Sequence, residues 1–94
     1  MLTHVVLMKF SDAGDAAKAR PRLEELAEVV PQIRSLEVAV DELATDVSWH
    51  LFLRTTHRDA GDLRAYQDHP AHREFGAWVR PLLVSRAVVD YTTP

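Results

Sequence analysis

Three side chains carry most of the chemical potential of this sequence: His4, Tyr66 and His72. An imidazole has an unperturbed pKa of about 6.5, so it can take or give a proton near neutrality. Burial in an apolar cleft lowers that value and leaves a neutral base. A tyrosine hydroxyl can orient a substrate oxygen or hydrogen-bond a developing enolate. If the fold brings the three together, His72 can remove an acidic proton next to a ketone or thioester while Tyr66 and His4 hold the oxygens. The structural alternative is that Tyr66 is a core aromatic and that the histidines only bond to backbone groups.

The other histidines point to less. His69 and Pro70 read as the joint between two helices, with Asp68 or His69 capping and Pro70 at the first helical position. His69 and His72 have i,i+3 spacing, and His4, His50 and His57 are further nitrogen donors. Without a His-Glu-x-x-His helix or any cysteine, no metal site is expected. His50 reads as an outward strand residue and His57 as a loop residue. The absence of cysteine also excludes a disulfide framework and a thiol nucleophile.

The elements that must position these groups follow from periodicity. Thr3 to Phe10 alternates with His4, Val6, Met8 and Phe10 on one face and Thr3, Val5, Leu7 and Lys9 on the other. Both faces are mostly apolar, which predicts cover on both sides. Asp15 is a candidate N-cap for a helix reaching Val30, with Ala16, Ala19, Leu23, Leu26 and Val30 on its buried face. Pro21 predicts a kink or a delayed start, and Pro31 a stop.

Arg34 to Asp41 and Ser48 to Thr56 read as strands. In the second, Trp49, Leu51 and Leu53 share one face, and His50, Phe52 and Arg54 the other. Arg54 needs a partner, either Glu37 or Asp90, unless it holds a substrate carboxylate. Asp59 caps a short helix carrying Leu63 and Tyr66. The helix opening at Pro70 buries Phe75, Val79 and Leu82 or Leu83 along with His72, and Pro81 disturbs its end. Ser85 to Thr92 is a last strand.

The order β-α-β-β-α-(α)-β is that of a ferredoxin-like α+β fold, with a four-stranded antiparallel sheet and helices on one face. The other, apolar face then needs a partner, and a second copy of the chain supplies one. On the helix side, Val6, Met8, Phe75 and Val79 are the expected wall of a small apolar cleft. Trp49, Phe52, Phe75 and Trp78 either line such a cavity or fill the core and the dimer interface.

Three segments carry a family resemblance: THVVLMKF in the first strand, LRAYQDHPAH from Leu63 to His72, and RAVVDY from Arg86 to Tyr91. Together they resemble the stress-responsive A/B barrel (Dabb) family of dimeric α+β barrels, across nearly the whole chain. The resemblance implies a homodimer whose two sheets pack face to face. It does not imply one activity. A plant polyketide cyclase of that family works by aldol chemistry. It uses a first-strand histidine, a tyrosine before the His-Pro-Ala-His motif and that motif's second histidine, which correspond to His4, Tyr66 and His72.

Length and charge bound the rest. The 94 residues form one domain, 1–94. A net charge of −3 argues against nucleic-acid binding. No run approaches the ~20 apolar residues of a membrane span, and the N-terminus lacks a signal-peptide layout, so a cytoplasmic protein is expected. The sequence predicts a homodimer with a small apolar or aromatic ligand and no cofactor. Three functions fit: a cofactor-free acid–base enzyme acting on an aromatic or polyketide-like substrate, a non-catalytic stress-responsive binding or protective protein, and a cofactorless monooxygenase.

Overall fold

Strand β1 (Leu2–Phe10) divides the molecule. In the computed structural model, which describes residues 1–94, its even-numbered residues His4, Val6, Met8 and Phe10 are buried, while Val5, Leu7 and Lys9 stay half-open. The even residues face α1 (Asp15–Val29), α2 (Ala60–Asp68) and α3 (Pro70–Val79). Strands β2 (Ser35–Val40), β3 (Leu51–His57) and β4 (Leu83–Thr92) complete a sheet of order β2-β3-β1-β4. Every neighbouring pair is antiparallel. This is the ferredoxin-like α+β arrangement, with the helices on one face.

Register carries the alternation of β1 across the sheet. His4 lies opposite Thr55 and Asp90, Val6 opposite Leu53 and Val88, and Met8 opposite Leu51 and Arg86. Directly paired residues point to the same face, so this set belongs to the helix side. The core joins Val6, Met8 and Phe10 of β1 to Leu51 and Leu53 of β3 and to Ala16, Ala19, Leu23 and Leu26 of α1.

Several local expectations are corrected. Asp15 is the first residue of α1, not its cap; Gly14 holds the cap position without a side-chain bond, and the Asp12 carboxylate accepts from the Gly14 N–H at 2.9 Å. Asp15 still suits the first turn, where a negative charge complements the helix dipole. The helix is not delayed by Pro21 but runs unbroken through it, and Pro21 lies on the exposed side. It ends at Val29, with Val30 extended ahead of Pro31. Strand β3 begins only at Leu51, so the alternation assumed for Trp49 fails. Trp49 lies beside Leu7, Ala39 and Phe52 on the open face, beneath the Lys9 ammonium. At the other end of the fold, α3 stops at Val79, a short 3-10 turn covers Arg80–Leu82, and Leu83 already belongs to β4.

Two histidines are also misplaced by the sequence. His50 is not an outward strand residue: it precedes β3, and its Nδ1 accepts from the Phe10 N–H at 2.9 Å. His57 is not in a loop but ends β3, fully buried. The second face of the sheet has no cover within one chain. There Val5, Leu7 and Phe52 are half-buried, while Val89 and Tyr91 are exposed. Arg54 finds Glu37 on this face, 3.2 Å away.

Candidate active site

The joint between α2 and α3 sets the position of the site. Asp59 caps α2 by accepting from the Asp62 N–H at 2.9 Å. His69 does the same for α3: its Nδ1 accepts from the Ala71 N–H at 3.0 Å, and Pro70, with no N–H to lose, follows it. Tyr66 stands in the last turn of α2 and His72 in the first turn of α3. The sharp turn between them brings the rings edge-to-face, with centroids 4.6 Å apart.

Both rings border a cavity of about 170 Å³ over the helix side of the sheet, and His4 of β1 borders it too. The expected apolar wall is there: Val6, Met8, Phe75 and Val79. Of the four aromatics considered, Phe75 alone reaches it. Trp78 packs on Phe75 and under the Arg22 guanidinium, and Trp49 and Phe52 are on the opposite face. A larger groove of about 480 Å³ between α1 and α3 includes His69 but none of the other histidines. With the His69 Nδ1 committed to the cap, the smaller cavity holds the chemistry.

Hydrogen bonds fix the tautomers around it. The His4 Nδ1–H donates to the Asp90 carboxylate at 2.5 Å, and the His72 Nδ1–H donates to the Gln67 carbonyl at 3.1 Å. A neutral ring bonded in this way keeps Nε2 as its free acceptor. Burial lowers the pKa of His72; the Gln67 carbonyl opposes this, and the charges of Arg86, His4 and Arg80 add to the lowering. His72 is thus a neutral base at pH 7. Burial pushes the Tyr66 hydroxyl up to about 12, with Arg86 pulling the other way, so it stays a protonated donor.

Four residues at or beneath the cavity were missed as site residues. Asp90 was weighed only as a partner for Arg54, whereas it holds His4. His57 lies flat against the far side of Tyr66, with centroids 5.2 Å apart. It donates from Nδ1 to the Gln32 carbonyl and accepts at Nε2 from the Thr55 hydroxyl. Burial lowers its pKa against the pull of that carbonyl, so it is a neutral support under the phenol ring. Arg80 and Arg86 line the cavity directly. The signal for Asp90 and Arg86 was available in β4, where alternation puts both on one face. Pairing with His4 and Met8 identifies which face it is.

No group of three or more His, Asp or Glu side chains is arranged to hold a metal ion. No helix is long and apolar enough to cross a membrane. What the arrangement offers is two oriented imidazoles, one protonated phenol and two guanidinium groups around an apolar floor.

A four-stranded antiparallel sheet of order β2-β3-β1-β4, backed by helices on one face, defines a ferredoxin-like α+β fold. The chain belongs to the stress responsive A/B barrel (Dabb) domain family, whose model matches residues 2–93. No curated protein matches it. Among solved structures, a dimeric protein of unknown function and ferredoxin-like fold from Bacteroides fragilis NCTC 9343 is 25% identical. It superimposes with a TM-score of 0.87 over 98% of this chain and 95% of that one. A dimeric ferredoxin-like protein of unknown function from Thermobifida fusca YX is 23% identical, with a TM-score of 0.86 over 98% and 90% of the two chains. The hydroxynitrile lyase from Passiflora edulis is 14% identical, with a TM-score of 0.81 over 99% and 96%.

Proposed function

We propose that this chain is a homodimeric, cofactor-free enzyme that performs acid–base chemistry on a small aromatic or ketide-like substrate. The observation that carries the reading is the convergence of His4, Tyr66 and His72 on one cavity with an apolar floor. In this mechanism the His72 Nε2 takes a proton from the carbon next to a ketone or thioester carbonyl. The Tyr66 hydroxyl donates to the enolate oxygen as charge develops there, and the nearby guanidinium groups favour that charge. His4, held in one tautomer by Asp90, accepts from a second substrate oxygen or relays the proton onward.

Two features support the dimer. The open sheet face is apolar and unpaired within the chain, and the similar proteins from B. fragilis and T. fusca are described as dimeric. Covering that face with the same face of a second copy leaves the helix-side cavity of each copy free. Sedimentation should give twice the chain mass at micromolar concentration; a stable monomer overturns the dimer.

The test of the chemistry is His72→Ala. A panel of aromatic ketones and thioesters, followed by α-proton exchange in deuterium oxide, should show wild-type catalysis. The variant should lose roughly 10²–10⁴-fold of it while still binding the ligand. Equal exchange rates in the two proteins overturn the reading. The apolar wall of Val6, Met8, Phe75 and Val79 would also serve a non-catalytic binding protein. That function predicts binding without exchange in wild type. A monooxygenase predicts substrate-dependent oxygen uptake instead.

A further inference from the structure

Two positive charges border the cavity without a carboxylate partner. Arg80 leaves from the 3-10 turn after α3, and Arg86 from β4 opposite Met8. Elsewhere in the chain Arg20, Arg54, Arg58 and Arg73 sit in ion pairs with carboxylates, and Arg22, Arg34 and Arg64 do not, but none of these borders the cavity. Arg80 and Arg86 are in no ion pair. The one carboxylate on the same face of β4, Asp90, is bonded to His4. Both side chains are exposed and water screens their charges in part, but both border one cavity, so an anion bound there meets two cations at once.

Gly76 makes room for one of them. It lies buried within α3, where glycine weakens a helix. A methyl group there would stand 3.2 Å from Nη2 of Arg80 and 3.5 Å from its Cζ. The bare backbone at position 76 lets the guanidinium lie against the helix at the edge of the cavity.

The two ends of the space differ in chemistry. Val6, Met8, Phe75 and Leu83 supply apolar wall, and Tyr66 and His72 supply the reacting groups. At about 170 Å³ the cavity falls below the ~300–1,000 Å³ typical of pockets for drug-sized ligands, so its occupant is one ring or a short chain. We infer that Arg80 and Arg86 form a seat for the carboxylate of a small organic acid, which places the acid's ring or ketone against Tyr66 and His72. This deepens the proposed function by naming the substrate class, and it rests on that reading.

The seat also couples binding to the base. His72 is faced by His4 from β1, Tyr66 from α2, Arg80 from the turn, Arg86 from β4 and the Gln67 carbonyl of its own joint. Arg86 and Arg80 both hold its basicity down. A carboxylate between them offsets their charge, so His72 becomes a stronger base only when the acid is in place.

The experiment compares benzoate with benzamide, its neutral counterpart, by titration against the intact protein at low ionic strength. Wild type should bind benzoate at least roughly tenfold more tightly, the scale of a charge-assisted hydrogen bond. The double variant R80Q/R86Q should lose that preference while still binding benzamide as wild type does. In NMR titrations the His72 ring should titrate at higher pH with benzoate bound than without it. Equal affinity for the two probes, no saturable benzoate binding, or a preference retained in the double variant overturns the inference. Inorganic phosphate displacing benzoate at equal concentration also overturns it, since the pair would then hold any anion. His72→Ala keeps the benzoate preference if the seat is real, whether or not the chain is a catalyst, so the two failures are distinguishable.

Discussion

The two faces of the sheet use the same strands and similar residues, yet they have opposite chemical prospects. On the helix side, His4, Thr55 and His57 are almost fully sheltered from water, and each makes at least one side-chain hydrogen bond. On the open side, Arg54 and Glu37 pair in contact with solvent among half-exposed Val5, Leu7 and Phe52. Burial makes an imidazole's surroundings consequential because the low dielectric strengthens every charge near it. An exposed pair is screened and contributes little. Cover, rather than residue type, separates a reactive surface from an adhesive one.

The comparison breaks most sharply at adjacent residues of β3. Leu53→Ala on the helix side should cost about 2–5 kcal/mol at every protein concentration, from lost transfer energy plus a cavity. Phe52→Ala on the open side should cost stability only in a concentration-dependent way. Denaturant titrations at several concentrations check both, and a concentration-independent loss from Phe52→Ala would mean that its face is not an interface.

Alkaline titration comes next. The Tyr66 hydroxyl moves from 10.0 in solution to about 12 in the fold because ionising it leaves a charge in a sheltered place. The neutral form is favoured, so this stability is intact below pH 10 and is lost as pH rises toward 12. The full difference is about 3 kcal/mol. Tyr66→Phe should flatten that alkaline limb in thermal melts.

The acid limb has the mirrored sign. His57 and His72 are both held below 6.5 by burial. The unfolded chain then binds more protons than the native one below that pH, so stability is full above 6.5 and declines as pH falls. His57→Asn should remove part of the slope, measured by urea midpoints between neutral and mildly acid buffer. The smallest effect belongs to the open face: Arg54→Met should change monomer stability by less than about 1 kcal/mol.

Most of the fold was legible because its patterns are local. Alternation in β1 told which residues share a face, and His-Pro-Ala-His told where α3 starts. Errors arose where an element ended. The strand pattern runs three residues early, from Ser48, which misplaces Trp49 and His50, and stops one residue short at Thr56, which leaves His57 outside the sheet. The apolar groups expected around the site do border the cavity with the histidines and tyrosine. Its charged groups were harder to see. Arg86 and Asp90 reach the cavity only through the pairing of β4 with β1, a contact between the two ends of the chain. Arg80 depends on a 3-10 turn that Pro81 marked only as a disturbance.

Strand β4 has no buried residue along its whole length and pairs on one side only. Both Arg86 and Asp90 ride on it. Segments with little shelter are the first to open, and in the proposed dimer a second copy covers the Val89 and Tyr91 of this strand. Dilution that separates the copies should therefore loosen β4 first and draw two charges away from the imidazoles while the three helices keep their spectrum.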